Sequence, residues 1–72
     1  MALELTVNGA PHSIDHPADG APLIEVLKTL GYNPSLVVVE HNGLIAPRSQ
    51  WTEPKVHSGD NLEVVTIVGG GS

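Results

Sequence analysis

A single amphipathic stripe constrains this chain more than any other feature. Leu23, Val26, Leu27 and Leu30 fall at i, i+3, i+4 and i+7, while Glu25, Lys28 and Thr29 lie off that line, the spacing of a helix with one apolar face. The other apolar runs have strand character. A lone helix with one greasy face must cover a sheet, because it has no second helix to pack against. Asp19 is positioned to cap this helix and Pro22 suits its first turn, since proline fixes φ and gives up no needed N–H there. Gly31 supplies a left-handed end and Pro34 prevents resumption.

Upstream, Leu3, Leu5 and Val7 alternate with Glu4, Thr6 and Asn8, the period-two pattern of a strand buried on one face. Asn8-Gly9 is a turn dipeptide, and Pro11 to Asp15 returns as an edge strand, so the chain opens with a hairpin. Downstream, Leu36-Val37-Val38-Val39-Glu40 is a β-branched strand bounded by the turn His41-Asn42-Gly43. Leu44 and Ile45 can add a short strand, and positions 46 to 56, with Pro47, Trp51 and Pro54, read as an irregular crossing whose tryptophan plugs the end of the core. After the turn Ser58-Gly59-Asp60, the last strand runs from Leu62 through Val68. The order β-β-α-β-(β)-β gives an α+β domain over residues 1–68, with four or five strands and the helix on one face. Gly69-Gly70-Gly71-Ser72 follows as a flexible tail, with no apolar side chain to anchor it.

With 72 residues, the chain makes one small domain that spends its apolar residues on staying folded and cannot wall off a large substrate pocket. Its 3 basic against 8 acidic side chains give a net charge of −5, which repels phosphate backbones and anionic membranes. Nucleic acid and membrane are therefore excluded as expected partners. Cysteine is absent, so neither a disulfide framework nor a thiol nucleophile is expected. No basic segment followed by an apolar run opens the sequence and no run approaches a membrane span, so a cytoplasmic location is expected. His12 and His16 are four apart on an extended segment, too far for a shared metal, and no metal site is expected. His41 and His57 sit beside turns and read as solvated, Asp60 as a residue satisfying turn amides. Asp19, Glu25, Glu53 and Asp60 form no paired-carboxylate constellation, so the chain is not expected to be an autonomous enzyme.

Four stretches in order then carry a resemblance: 37–43 (VVVEHNG), 47–51 (PRSQW), 58–60 (SGD) and 64–71 (VVTIVGGG). With Leu5-Thr6-Val7-Asn8-Gly9 and the helix of 23–31 they resemble, motif by motif, the ThiS family of thiamine-pathway sulfur carriers. The resemblance implies the ubiquitin-like β-grasp fold, a mixed sheet with its first and last strands central and parallel. It also implies the chemistry. A terminal glycine carboxylate, here Gly71 with Gly70 before it, is adenylated by a ThiF/MoeB-like adenylyltransferase that binds the ATP and magnesium, the carrier holding no cofactor itself. A sulfur-donor persulfide protein displaces AMP to leave a thiocarboxylate, which gives its sulfur to thiazole synthase (ThiG). Glycines suit such an end, because bare backbone threads a narrow channel.

Val65, Ile67, Val68 and Gly69 are the expected partner-binding residues. If Leu62 and Val64 face the helix, Val65 and Ile67 project from the opposite face. With Leu36 and Val38 they would form an apolar docking patch, unless the crossing at 46–56 covers them. Other readings stay open: a MoaD-like carrier subunit for molybdopterin synthesis, a non-catalytic β-grasp binding module, and conjugation to protein lysines. Ser72 is the one departure, for it puts a side chain where the family's reacting glycine ends.

Overall fold

A computed structural model describes residues 2–67. Strand β1 (Ala2–Val7) buries Leu3, Leu5 and Val7 and exposes the residues between, as its alternation dictates. Asn8 and Gly9, both at positive φ (51° and 81°), turn it into β2 (Ala10–Asp15), a two-residue turn with the twist of a hairpin. The pairing is antiparallel, Val7 opposite Ala10 and Ala2 opposite Asp15.

Helix α1 spans Leu23–Thr29 and buries Leu23, Val26 and Leu27. Leu30 packs against the same core while remaining partly buried. The expected Asp19 cap is not formed: Pro22 occupies the cap position with no side-chain bond to the helix. Asp19 instead accepts from the Ser58 amide at 3.1 Å. The physical reason lies in the intervening backbone, which leaves the helix path at Gly20 (φ 90°) and pairs Ala21 with Val56 in an isolated bridge. A side chain at position 20 would have its Cβ 3.1 Å from the Pro54 carbonyl, so this close approach needs glycine.

After Gly31 a short 3-10 turn (Pro34–Leu36) leads into β3 (Val37–His41). Leu36 thus closes the turn rather than opening the strand. Asn42-Gly43 repeats the positive-φ turn (53° and 86°) and returns the chain as β4 (Leu44–Ile45). A second 3-10 turn (Arg48–Gln50) lies within the crossing, and β5 covers Asn61–Thr66. Ile67, expected within that strand, lies just past its end. Ile67 still donates its amide to the Leu36 carbonyl, and Val68 lies outside the described residues.

The five strands are ordered β2-β1-β5-β3-β4. β5 is parallel to β1, with Thr6 opposite Asn61 and Val7 opposite Leu62. It is antiparallel to β3 through five registered pairs, Val37–Thr66 to His41–Leu62. This is the ubiquitin-like β-grasp arrangement, with β5 in the middle of the sheet. The core lies between one sheet face and α1: Leu3, Leu5, Leu27, Val39 and Leu62 are at most 2% exposed. Burying each such side chain is worth about 1.5–3 kcal/mol. Trp51, 3% exposed, closes one end of this layer.

Candidate functional site

The two faces of the sheet are unlike. Val37 and Val39 of β3, with Leu62 and Val64 of β5, point to the helix and are buried. Their neighbours point the other way, where no helix and no crossing covers them. Val65 is 63% exposed, Ile67 47%, Leu36 43% and Val38 38%, and the register sets Val38 directly opposite Val65. Ile45, opposite Glu40 on β4, extends this open face to the sheet edge. The crossing at 46–56 packs on the helix side instead, its Trp51 carbonyl accepting from the Ile24 amide at 3.0 Å. The structure therefore brings Val65 and Ile67 together with Leu36 and Val38 as one exposed apolar patch. Val68, Gly69, Gly70 and Gly71, the other expected site residues, lie outside the described residues.

What fixes β5 beneath that patch was not legible in the hydrophobic pattern. β1 ends at Val7, so backbone pairing on that side of β5 ends with the Asn8 amide donating to Leu62 at 2.9 Å. The Asn8 side chain then takes the place of a further peptide. Its Oδ1 accepts from Val64 N at 2.7 Å and its Nδ2 donates to Val64 O at 3.1 Å, a two-point clamp that satisfies both main-chain groups. Asn42 does similar work at the other end of the strand, its Oδ1 accepting from Asn61 N at 2.8 Å. The available signal was that both turns use asparagine where a left-handed residue is needed; the side chain adds a second role to the permitted φ.

The Ser58-Gly59-Asp60 turn ties the start of β5 to β1. Gly59 donates its amide to the Glu4 carbonyl at 2.7 Å, and Ser58 Oγ accepts from the Glu4 amide at 3.0 Å. Asp60 accepts from the His57 amide at 2.8 Å, as a turn aspartate should. It also meets the His41 ring, Nε2 to Oδ2 2.6 Å, and the Asn42 amide at 3.2 Å. His41 is thus not simply solvated. Its side chain is 19% exposed because the β3–β4 turn folds over the 57–60 turn. His57 remains exposed, as expected. His16 bonds to the Ala18 carbonyl and to Glu25. No group of three potential ligand side chains able to hold a metal occurs among the described residues.

Burial acts to raise the Asp60 pKa. The bonds from the His57 amide, the His41 ring and the Asn42 amide, with the attraction of His41, outweigh it and hold the carboxyl below its ordinary value of 3.8. A carboxyl lowered in the folded state stabilises the fold above that ordinary value, and the contribution is lost as pH falls through the lowered one. Asp60→Asn should therefore flatten the stability curve from about pH 4 downward. Urea midpoints taken at stepped pH check this, and curves of equal slope for both proteins would contradict it.

Arg48 locks the crossing to the sheet. Its guanidinium donates to the Pro34 carbonyl at 2.6 Å and the Val37 carbonyl at 2.9 Å, and lies 4.8 Å from the Trp51 ring centre, a cation–π stack. A cleft lined by Leu23, Leu44, Ile45, Pro47, Trp51 and Val56 lies between the β4 strand, the crossing and the start of the helix. No described helix is long and apolar enough to cross a membrane.

A β-grasp domain with an uncovered apolar strip on its last strand belongs to the class of small ubiquitin-like proteins. Comparison with solved structures narrows this. The crystal structure of the thiamine biosynthesis protein ThiS from Geobacter metallireducens superposes with a TM-score of 0.78 at 34% identity, covering 96% of this chain and all of that one. The ThiS family model matches residues 5–71, and the chain belongs to the ThiS family. An uncharacterized protein, ycf40 of Pyropia yezoensis, is 33% identical over 69 residues, 96% of this chain and 93% of that protein. A thiazole synthase from Paramagnetospirillum magneticum is 33% identical over 70 residues, 97% of this chain but 21% of that larger protein.

Proposed function

We propose that this chain is a sulfur carrier of thiamine biosynthesis that works as a protein co-substrate and not as a catalyst, with the Gly71 carboxylate as the reacting group. The observation that carries the reading is the position of β5: it runs through the middle of the sheet, surfaces beside an exposed apolar patch, and leads in sequence into Gly69-Gly70-Gly71. Membership of the ThiS family and the match within a thiazole synthase chain support it.

In the proposed reaction, which needs a chain ending at Gly71 without Ser72, a Gly71 carboxylate oxygen attacks the α-phosphate of ATP in an adenylyltransferase, and pyrophosphate leaves. That partner supplies the nucleotide site and magnesium. The terminal sulfur of a donor persulfide attacks the acyl carbon and AMP leaves. A thiol then cleaves the sulfur–sulfur bond, leaving a thiocarboxylate on the carrier and a disulfide on the donor side. Thiazole synthase receives the sulfur. The carrier has no thiol that could intercept the activated acyl group. Its own contribution is reach, through Gly69 to Gly71, and recognition, through Val65, Ile67 and Val68.

Ile67→Asp tests the recognition step. Ile67 is half exposed, so the fold should lose about 0.5 kcal/mol or less, while affinity for the adenylyltransferase should fall about thirtyfold, the size of an interface hot spot. Normal binding by the folded variant, or a variant that unfolds, would remove the patch from the docking surface. Incubation of a chain ending at Gly71 with adenylyltransferase, ATP and a sulfide source should replace one oxygen by sulfur in the terminal peptide, read by intact mass. No mass change would end the carrier reading.

A further inference from the structure

The open face of the sheet is not uniformly apolar. Register places Glu40 of β3 directly opposite Glu63 of β5, with Ile45 on the other side of Glu40 and Val38 and Val65 two registered pairs further along, the next pair on the same face. Both glutamates are exposed, and neither carboxylate takes part in a hydrogen bond or ion pair among the described residues. Like charges directly opposite across two strands work against the sheet. Two of the chain's three basic side chains are engaged elsewhere: Arg48 donates to the Pro34 and Val37 carbonyls, and Lys55 pairs with Glu53. The fold thus holds an uncompensated pair of negative charges within the same strip as its exposed valines and isoleucines.

We infer that this face is built for a partner surface carrying an arginine at the centre of an apolar contact, the guanidinium bridging Glu40 and Glu63 while Val38, Ile45, Val65 and Ile67 are covered. Cα atoms of such cross-strand partners are about 5.5 Å apart, a gap that a planar guanidinium can span with donors to both carboxylates. A lysine ammonium offers a compact point charge and suits a two-carboxylate site less well. The chain's charge of −5 adds long-range steering toward such a basic surface. The inference rests on the carrier reading for its partner, the adenylyltransferase, but the charge requirement is separate from it.

The test compares the unmodified chain with Glu40→Gln, Glu63→Gln and the double variant, measuring binding to the cognate adenylyltransferase at several salt concentrations and stability in urea. Glutamine keeps the shape and removes the repulsion, so the double variant should be at least as stable as the parent. Its affinity should fall at least about tenfold, chiefly through faster dissociation because the partner's guanidinium is left covered without its carboxylates, and the salt dependence of association should also become shallower. An affinity within about twofold of the parent, or an unchanged salt dependence, overturns the inference. Ile67→Asp measured alongside separates the two claims. If it weakens binding and the glutamine pair does not, docking through the apolar strip stands and the arginine requirement falls. If Ile67→Asp binds normally, the docking face itself is lost and this inference goes with it.

Discussion

A chain ending at Gly71 should support ATP–pyrophosphate exchange with its adenylyltransferase, whereas the same chain ending at Ser72 should do so roughly a hundredfold more slowly. The reason is geometric. With Ser72 attached, the α-carboxylate is displaced by one residue, and a channel shaped for bare backbone meets a Cβ and a hydroxyl. Displacements of even an ångström at a reacting atom can cost two orders of magnitude. A chain ending at Gly70 should fall between the two, since it keeps the glycine terminus and loses reach. Assayed side by side, the three should rank Gly71, Gly70, Ser72 for exchange and for sulfur uptake. Equal rates would show that the terminal glycine is not the reacting group. The comparison is independent of the folded body, which is identical in all three.

Trp51→Ala should cost about 3–5 kcal/mol of stability, a large share of the roughly 5–15 kcal/mol that holds a domain together. Trp51 does several things at once. Its ring is buried against the core, its Nε1 donates to the Ala46 carbonyl at 2.9 Å, and Arg48 stacks on it at 4.8 Å. Its own carbonyl accepts from Ile24 at the start of α1, so losing the ring loosens the seam between crossing and helix. Trp51→Phe keeps most of the packing and should lose roughly 1–2 kcal/mol, mainly the indole hydrogen bond. Urea unfolding should show a lower midpoint for Trp51→Ala with unchanged slope. A loss below about 1 kcal/mol would mean that the crossing is not fixed by this residue.

The sequence shows its strands and helix because burial writes a period: two in Leu3-Leu5-Val7, and the helical stripe from Leu23 to Leu30. The hairpin was legible for a different reason, since Asn8-Gly9 supplies two consecutive positive φ angles where the twist demands them. The exposed position of Val65 and Ile67 followed from alternation once Leu62 and Val64 were assigned to the core. What stayed hidden depends on contacts far apart in sequence. Asp19 has the chemistry of a cap, and only the Ala21–Val56 bridge reveals that it serves Ser58 instead. His41 and Asp60 are 19 positions apart and meet through the juxtaposition of two turns. The opposition of Glu40 to Glu63 likewise exists only once register is fixed, because no local pattern sets which residues of β3 and β5 face each other.

The placement of β5 also has a mechanical meaning. In the proposed reaction, a partner that drew the carboxyl end into a channel would pull along this strand, parallel to β1 on one side and antiparallel to β3 on the other. The load runs along the strand axis while the hydrogen bonds lie across it, so they must yield together in shear and cannot open one after another as at a fraying edge. Asn8, gripping Val64 at both its N–H and its carbonyl, acts as a cleat near the point where the load enters. If the proposed reaction draws the carboxyl end into a partner, this arrangement protects the fold from being unravelled by that handling.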